Sequence, residues 1–146
     1  MRWTTKLKTT LRWPQITRLR FPLYDKYYAE MFRWETLPAL QRGRRACLLR
    51  APAFAYGFAQ GDWVQLTQPN PQGGWWAGEV LRSGGCSTLR ISVMREAALA
   101  RLAGECRTFG LHLQPTELPL LYTLSIPPGQ DYLKLRTVLE QGTRQG

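Results

Sequence analysis

The chain contains one histidine, His112, and three cysteines, Cys47, Cys86 and Cys106. Any imidazole acid–base step or Cys–His nucleophile must therefore run through His112. Its neighbours Leu111 and Leu113 suit a polar position on a short strand better. Cys86, beside Gly85 and near Arg82, is the candidate reactive thiol, because nearby positive charge favours the thiolate. Structural zinc takes four Cys/His ligands, normally in closely spaced pairs. Three scattered cysteines without a CxxC pair supply no such set, so the sequence predicts no metal, no structural disulfide and no cofactor. Asp62 has the chemistry of a general base, but an Asp after Gly at a strand entrance more often serves the turn. No residue is assigned a catalytic role.

Binding chemistry is better represented. Ser87, Thr88 and Arg90 follow the glycine pair Gly84-Gly85 and could present backbone N–H groups and a cation to an anion. A tight turn whose hydroxyls satisfy its own backbone is the commoner use of such residues. Trp75 and Trp76 must point to opposite faces if both lie in a regular strand, one inward and one available outside. Tyr56, Trp63, Trp75, Trp76 and Arg90 form the candidate binding surface, with a second hydrophobic face under the C-terminal helices as the competing reading.

Charge is unevenly placed. The net formal charge is +10, yet residues 1–50 hold 12 Lys/Arg against 3 Asp/Glu and residues 51–146 hold 8 against 7. Residues 1–20 read as a basic arm interrupted by Pro14, with Trp3 and Trp13 among its cations. A nucleic-acid arm, a targeting segment and a stretch upstream of a later start such as Met31 all stay open; the absence of serine and the Thr and Pro content argue against a transit helix. Gln41-Arg42-Gly43-Arg44-Arg45 reads as a basic hairpin tip. The candidate nucleic-acid contacts are Arg2, Lys6, Lys8, Arg12, Arg18, Arg20, Arg42, Arg44 and Arg45. A folded basic face running from arm to tip would favour nucleic acid, and an acid-lined pocket at Asp62 and Glu79 would favour catalysis.

The elements that must position these groups follow from composition and period. A hydrophobic content of 44% excludes a mostly disordered chain, and no apolar run approaches a bilayer span. The expectation is a soluble, cytoplasmic protein without membrane insertion. A first strand is expected near Met31 to Trp34, then a turn or short strand ended by Pro38, and a strand from Ala46 to Arg50. Asp62 to Thr67, Trp75 to Arg82 and Thr88 to Met94 read as a meander, with Pro69 to Gly74 as its clearest turn. At Arg95 the period becomes helical, through Ala98, Leu99, Leu102 and Cys106. Leu118 to Ile126 reads as a strand, and Asp131 caps a last helix that Gly142 ends.

This order resembles an uncharacterised bacterial family, domain of unknown function 4265, over about residues 32–142. Glu35-Thr36-Leu37, Leu48 to Pro52, Phe54 with Tyr56-Gly57 and Gly61-Asp62-Trp63-Val64 carry the resemblance, followed by Ser83-Gly84, Ser87 to Arg90 and Ile126-Pro127-Pro128. The resemblance implies no activity, since the family has none assigned. A weaker local likeness, over about residues 61–80, is to SH3 domains, whose paired tryptophans help form a polyproline groove.

Together these readings predict an α+β protein. A small SH3-like β-barrel over about residues 30–94 precedes a helix–strand–helix lobe over about 95–142, within one domain from 21 to 142, with an arm at 1–20 and a frayed tail at 143–146. The expected function is non-catalytic binding of a protein partner by a small bacterial protein. Nucleic-acid binding is the alternative, and an enzyme of unknown class the third reading.

Overall fold

A computed structural model of the chain describes residues 14–145. Arg2, Lys6, Lys8 and Arg12, with Trp3 and Trp13, lie outside the described residues.

The first strand begins well upstream of Met31. In β1 (Gln15–Pro22), Leu19 and Phe21 are 0% and 1% exposed while Arg18 and Arg20 alternate with them outward. That period of two is a strand pattern, and its outward arginines disguise it as an arm. β1 pairs along its whole length with β2 (Trp34–Arg42), so Arg18 and Arg20 are barrel residues. Residues 26–31, expected to lead into a strand, form helix α1 (Lys26–Met31) instead. The Asp25 carboxylate starts it by accepting from the backbone N–H groups of Tyr27 and Tyr28. Pro38 does not end β2; its carbonyl accepts from Leu49 N–H while the strand runs on to Arg42.

β2 turns at Gly43, which sits at φ +59°, into β3 (Arg45–Leu48), followed by β4 (Trp63–Pro69) and β5 (Trp75–Arg82). The five strands close into a barrel in chain order, sealed by parallel pairing of β1 with β5 at Leu19–Trp75 and Arg20–Trp76. Leu19, Phe21, Leu37, Leu48, Val64 and Leu66 fill its interior. Gly74, in the β4–β5 turn, lies against β1 so closely that an added Cβ would collide with the Arg18 carbonyl.

The chain then leaves the barrel. Gly84 passes Gly61 with room for no side chain, since a Cβ there would lie 2.5 Å from the Gly61 carbonyl oxygen. Asp62 fixes the crossing, its Oδ1 accepting from Gly84 N–H and its Oδ2 from Ala59 N–H. So β6 (Ser87–Ser92) is not a barrel strand, as the meander reading implied, but joins a separate antiparallel sheet of order β6-β8-β7. Helix α2 (Glu96–Thr108) precedes β7 (Leu113–Pro115) and β8 (Leu121–Ile126), and α3 (Tyr132–Gln145) ends the fold. Gly142 does not stop α3, which continues to Gln145 where a frayed tail was expected. Cys106, Leu124, Ile126 and Leu135 form the core of this α/β lobe. The whole is an α+β architecture, a closed five-stranded barrel followed by helices and a small sheet.

Barrel and lobe meet at the buried segment 51–55. Glu35, on β2, accepts from three of its backbone N–H groups: Ala53 at 2.7 Å, Phe54 at 2.9 Å and Ala55 at 2.9 Å. Arg90, on β6, takes its carbonyls, with Nε donating to Ala53 at 2.7 Å and Nη2 to Pro52 at 3.0 Å.

Two outcomes test this account by urea melts. Phe21→Ala should cost about 3–5 kcal/mol, as for a large buried aromatic, while Trp63→Ala, on the outer surface, should cost much less. Glu35→Ala strands three N–H groups at about 1–3 kcal/mol each before relaxation, so a loss on the order of 3 kcal/mol or more is expected.

Candidate nucleic-acid interface

Because Leu37 and Ala39 point inward, Trp34, Thr36 and Pro38 share the outer phase of β2, as Arg18 and Arg20 do on β1. The Arg20 guanidinium lies over the Trp34 ring at 5.2 Å, and Trp34 meets Trp76 edge to face at 6.1 Å. Arg20 Nε is buried with no hydrogen-bond partner among the described residues. Trp76 connects to β4, where Thr67 Oγ1 donates to the Trp76 carbonyl at 3.0 Å. The Thr67 carbonyl in turn accepts from Arg44 Nη2 at 3.4 Å. A linked band therefore runs around the barrel from the Arg42–Arg45 tip through Thr67, Trp76 and Trp34 to Arg20.

The tip opens on a broad cleft of about 540 Å³ lined by Arg42, Arg44, Arg45, Gln65, Thr67 and Leu81. Arg45 stacks over Trp63 at 5.2 Å on the same outer surface. Gln15 pairs with Gln41, so the start of β1 lies beside this tip. The three ion pairs among the described residues all lie in the lobe, Arg101–Glu105, Lys134–Asp131 and Arg136–Glu140. No barrel arginine among them is neutralised by a carboxylate. The carboxylates of Glu35 and Asp62 are occupied by backbone N–H groups.

The sequence-predicted surface separates into parts. Trp75 packs on the barrel core and Trp76 on the outside, as the pleat requires. Trp63 lies under Arg45, and Tyr56, 52% exposed, lies under the Arg90 guanidinium at 4.5 Å. Arg90 is not the free cation of an anion nest: its donors are committed to the 52–53 carbonyls. Burial pushes its pKa down, while Tyr56, Glu35 and Tyr28 pull it back up. Thr88 Oγ1 is buried without a partner among the described residues. Trp34 is absent from the sequence-predicted surface; the inward phase of Leu37 and Ala39 is the signal that places it outside. Asp62, held at a chain crossing and 5% exposed, lines neither of the two clefts, and both its oxygens accept from backbone N–H groups. His112 is exposed, and no three His, Cys, Asp or Glu side chains converge on a metal-sized site among the described residues.

A closed barrel banded outside by arginine and tryptophan, with an α/β lobe locked to one end, defines the class of structure. The chain belongs to the family described as Domain of unknown function (DUF4265), whose model matches residues 35–146. A solved structure described as a novel crystal structure of a hypothetical protein from Neisseria gonorrhoeae shares the fold, with a TM-score of 0.68 at 16% identity. The match covers 90% of this chain and 89% of that one, more than the family segment alone, so the likeness extends upstream of Glu35. No curated protein matches the chain at a significant level.

The cysteines supply a check on packing. Cys106 is fully buried, and burial with Glu105 nearby pushes its pKa up, which keeps the thiol protonated at neutral pH. Burial and Asp62 push Cys47 the same way. Alkylation of the native protein followed by mass spectrometry should therefore label half-buried Cys86 well before Cys106; equal rates would contradict the lobe core.

Proposed function

We propose that the protein is a non-catalytic binding protein that holds single-stranded nucleic acid along the arginine–tryptophan band of its barrel. The observation that carries this reading is the continuity of the band: Arg44, Thr67, Trp76, Trp34 and Arg20 in contact, without a carboxylate partner for the arginines among the described residues. Arginine beside an exposed aromatic suits a nucleotide strand, since the guanidinium pairs with phosphate and the ring stacks with any base. The barrel strands and their connections, residues 15–82, hold nine Lys/Arg against five Asp/Glu, which supplies the long-range attraction. Residues 1–13 add four further Lys/Arg and no Asp/Glu to the charge available for phosphate. A cytoplasmic location belongs to this reading, supported by three free cysteines that no disulfide joins.

A protein partner is the second reading. It is favoured by the exposed tyrosines Tyr24, Tyr27 and Tyr56 around α1, a residue type enriched at interfaces.

Binding of a fluorescent oligothymidine at several salt concentrations tests the proposal. Affinity should fall with salt at a log–log slope of about −0.7 per contacted phosphate on a single strand. Replacing Arg42, Arg44 and Arg45 together by Ala should flatten the slope by about 2. Deleting residues 1–13 removes four basic residues while sparing β1, and should flatten it further. Trp34→Ala should lose roughly the 1–3 kcal/mol of one stacked base. Absence of binding at about 50 mM salt, or equal slopes for all proteins, sinks the nucleic-acid reading in favour of the protein partner.

A further inference from the structure

A second cleft, of about 290 Å³, lies where β2 meets the lobe, and Trp34 and Thr36 line it. Those two residues also flank the band: Thr36 is the cross-strand partner of Arg20, and Trp34 carries the Arg20 guanidinium. A strand following the band therefore passes the mouth of this cleft. We propose, resting on the reading above, that the cleft receives one unstacked base of the bound strand and that its chemistry selects guanine.

Size and walls suit a single ring system. The volume lies at the lower end for ligand sites, too small for a drug-sized molecule but adequate for a purine. Phe32 and Phe54, stacked at 4.9 Å and 18°, form an aromatic wall with Trp34 beside it, and Pro115 stands on the lobe side. Such surfaces take up the π-faces of a base splayed from its stack.

Selection comes from the polar groups. Glu35 lines the cleft, but its oxygens are engaged by the 53–55 backbone. Thr116 Oγ1 is engaged by Leu118 and Leu121. Glu117 is exposed and makes no hydrogen bond or ion pair with any described residue. Arg50 commits Nη2 to the Pro115 carbonyl at 3.1 Å and retains further donors. The cleft thus offers one free carboxylate and one guanidinium. The Watson–Crick edge of guanine presents N1–H and N2–H side by side, matching both oxygens of a carboxylate, with O6 next to them for an arginine donor. Adenine and cytosine offer one amine beside a ring nitrogen that repels a carboxylate, and thymine places a single N–H between two carbonyls. Only guanine leaves neither of these polar groups opposed by its like.

The test uses the full chain and labelled oligothymidines that differ only at one central position. Central guanine should bind roughly tenfold tighter than central adenine, cytosine or thymine, the scale of a good bidentate base contact. Glu117→Gln should abolish that ratio, because an amide offers one acceptor and one donor, whereas Glu79→Gln, which removes an exposed carboxylate outside the cleft, should keep it. If the oligonucleotides bind with the expected salt slope but guanine has no advantage, or if the advantage survives Glu117→Gln, the base site is overturned and the band stands. If none of them binds, the nucleic-acid reading fails and takes the base site with it.

Discussion

The fold depends on how the 51–55 segment is kept dry. A buried loop must find partners for its peptide groups or lose on the order of 1–3 kcal/mol for each one left unpaired. Here the two kinds of peptide group are divided by charge: the Glu35 carboxylate takes N–H groups and the Arg90 guanidinium takes carbonyls. Because Glu35 belongs to the barrel and Arg90 to the lobe sheet, satisfying one loop also fixes the two units against each other. Glu35 and Arg90 meet through the backbone they share rather than as a direct ion pair, so each charge keeps several hydrogen bonds in place of hydration. The same loop carries Phe54, whose ring stacks on Phe32 and forms the wall of the cleft beside it.

With those two charges committed inside, the outer barrel surface is left to the arginines. Closing the sheet shortens its free strand edges, which shifts recruitment of a partner toward the side chains of the outer surface. Arginine is suited to that task because its planar group stacks on tryptophan while its edges still donate. The two stacked pairs, Arg20 on Trp34 and Arg45 on Trp63, hold cations in defined orientations without neutralising them.

Legibility in the sequence followed the strength of local rules. The β4–β5 hairpin was readable because Pro69, Asn70 and the Gly73-Gly74 pair each impose a turn, and helix α2 because its apolar period is plain. The opposite facing of Trp75 and Trp76 followed from the pleat alone. β1 was hidden because its outward positions are arginines, and long-range pairing with β2 outweighs the appearance of an arm. The departure of β6 from the barrel was hidden for a different reason. It depends on Gly84 crossing Gly61 under the Asp62 carboxylate, a contact between residues more than twenty positions apart. For the site, the Arg42–Arg45 tip was legible from composition, whereas the roles of Trp34 and Glu35 required knowing which phase of β2 faces inward.

The barrel closes through only two residue pairs, Leu19–Trp75 and Arg20–Trp76, between strands separated by more than fifty residues. No other strand pair of the barrel is joined by so few residue pairs, so this seam is the natural place for the native barrel to breathe. Arg20 and Trp76 sit on opposite sides of it. Anything that grips both residues at once acts as a clasp across the seam, coupling occupancy of the outer surface to the opening rate of the whole barrel.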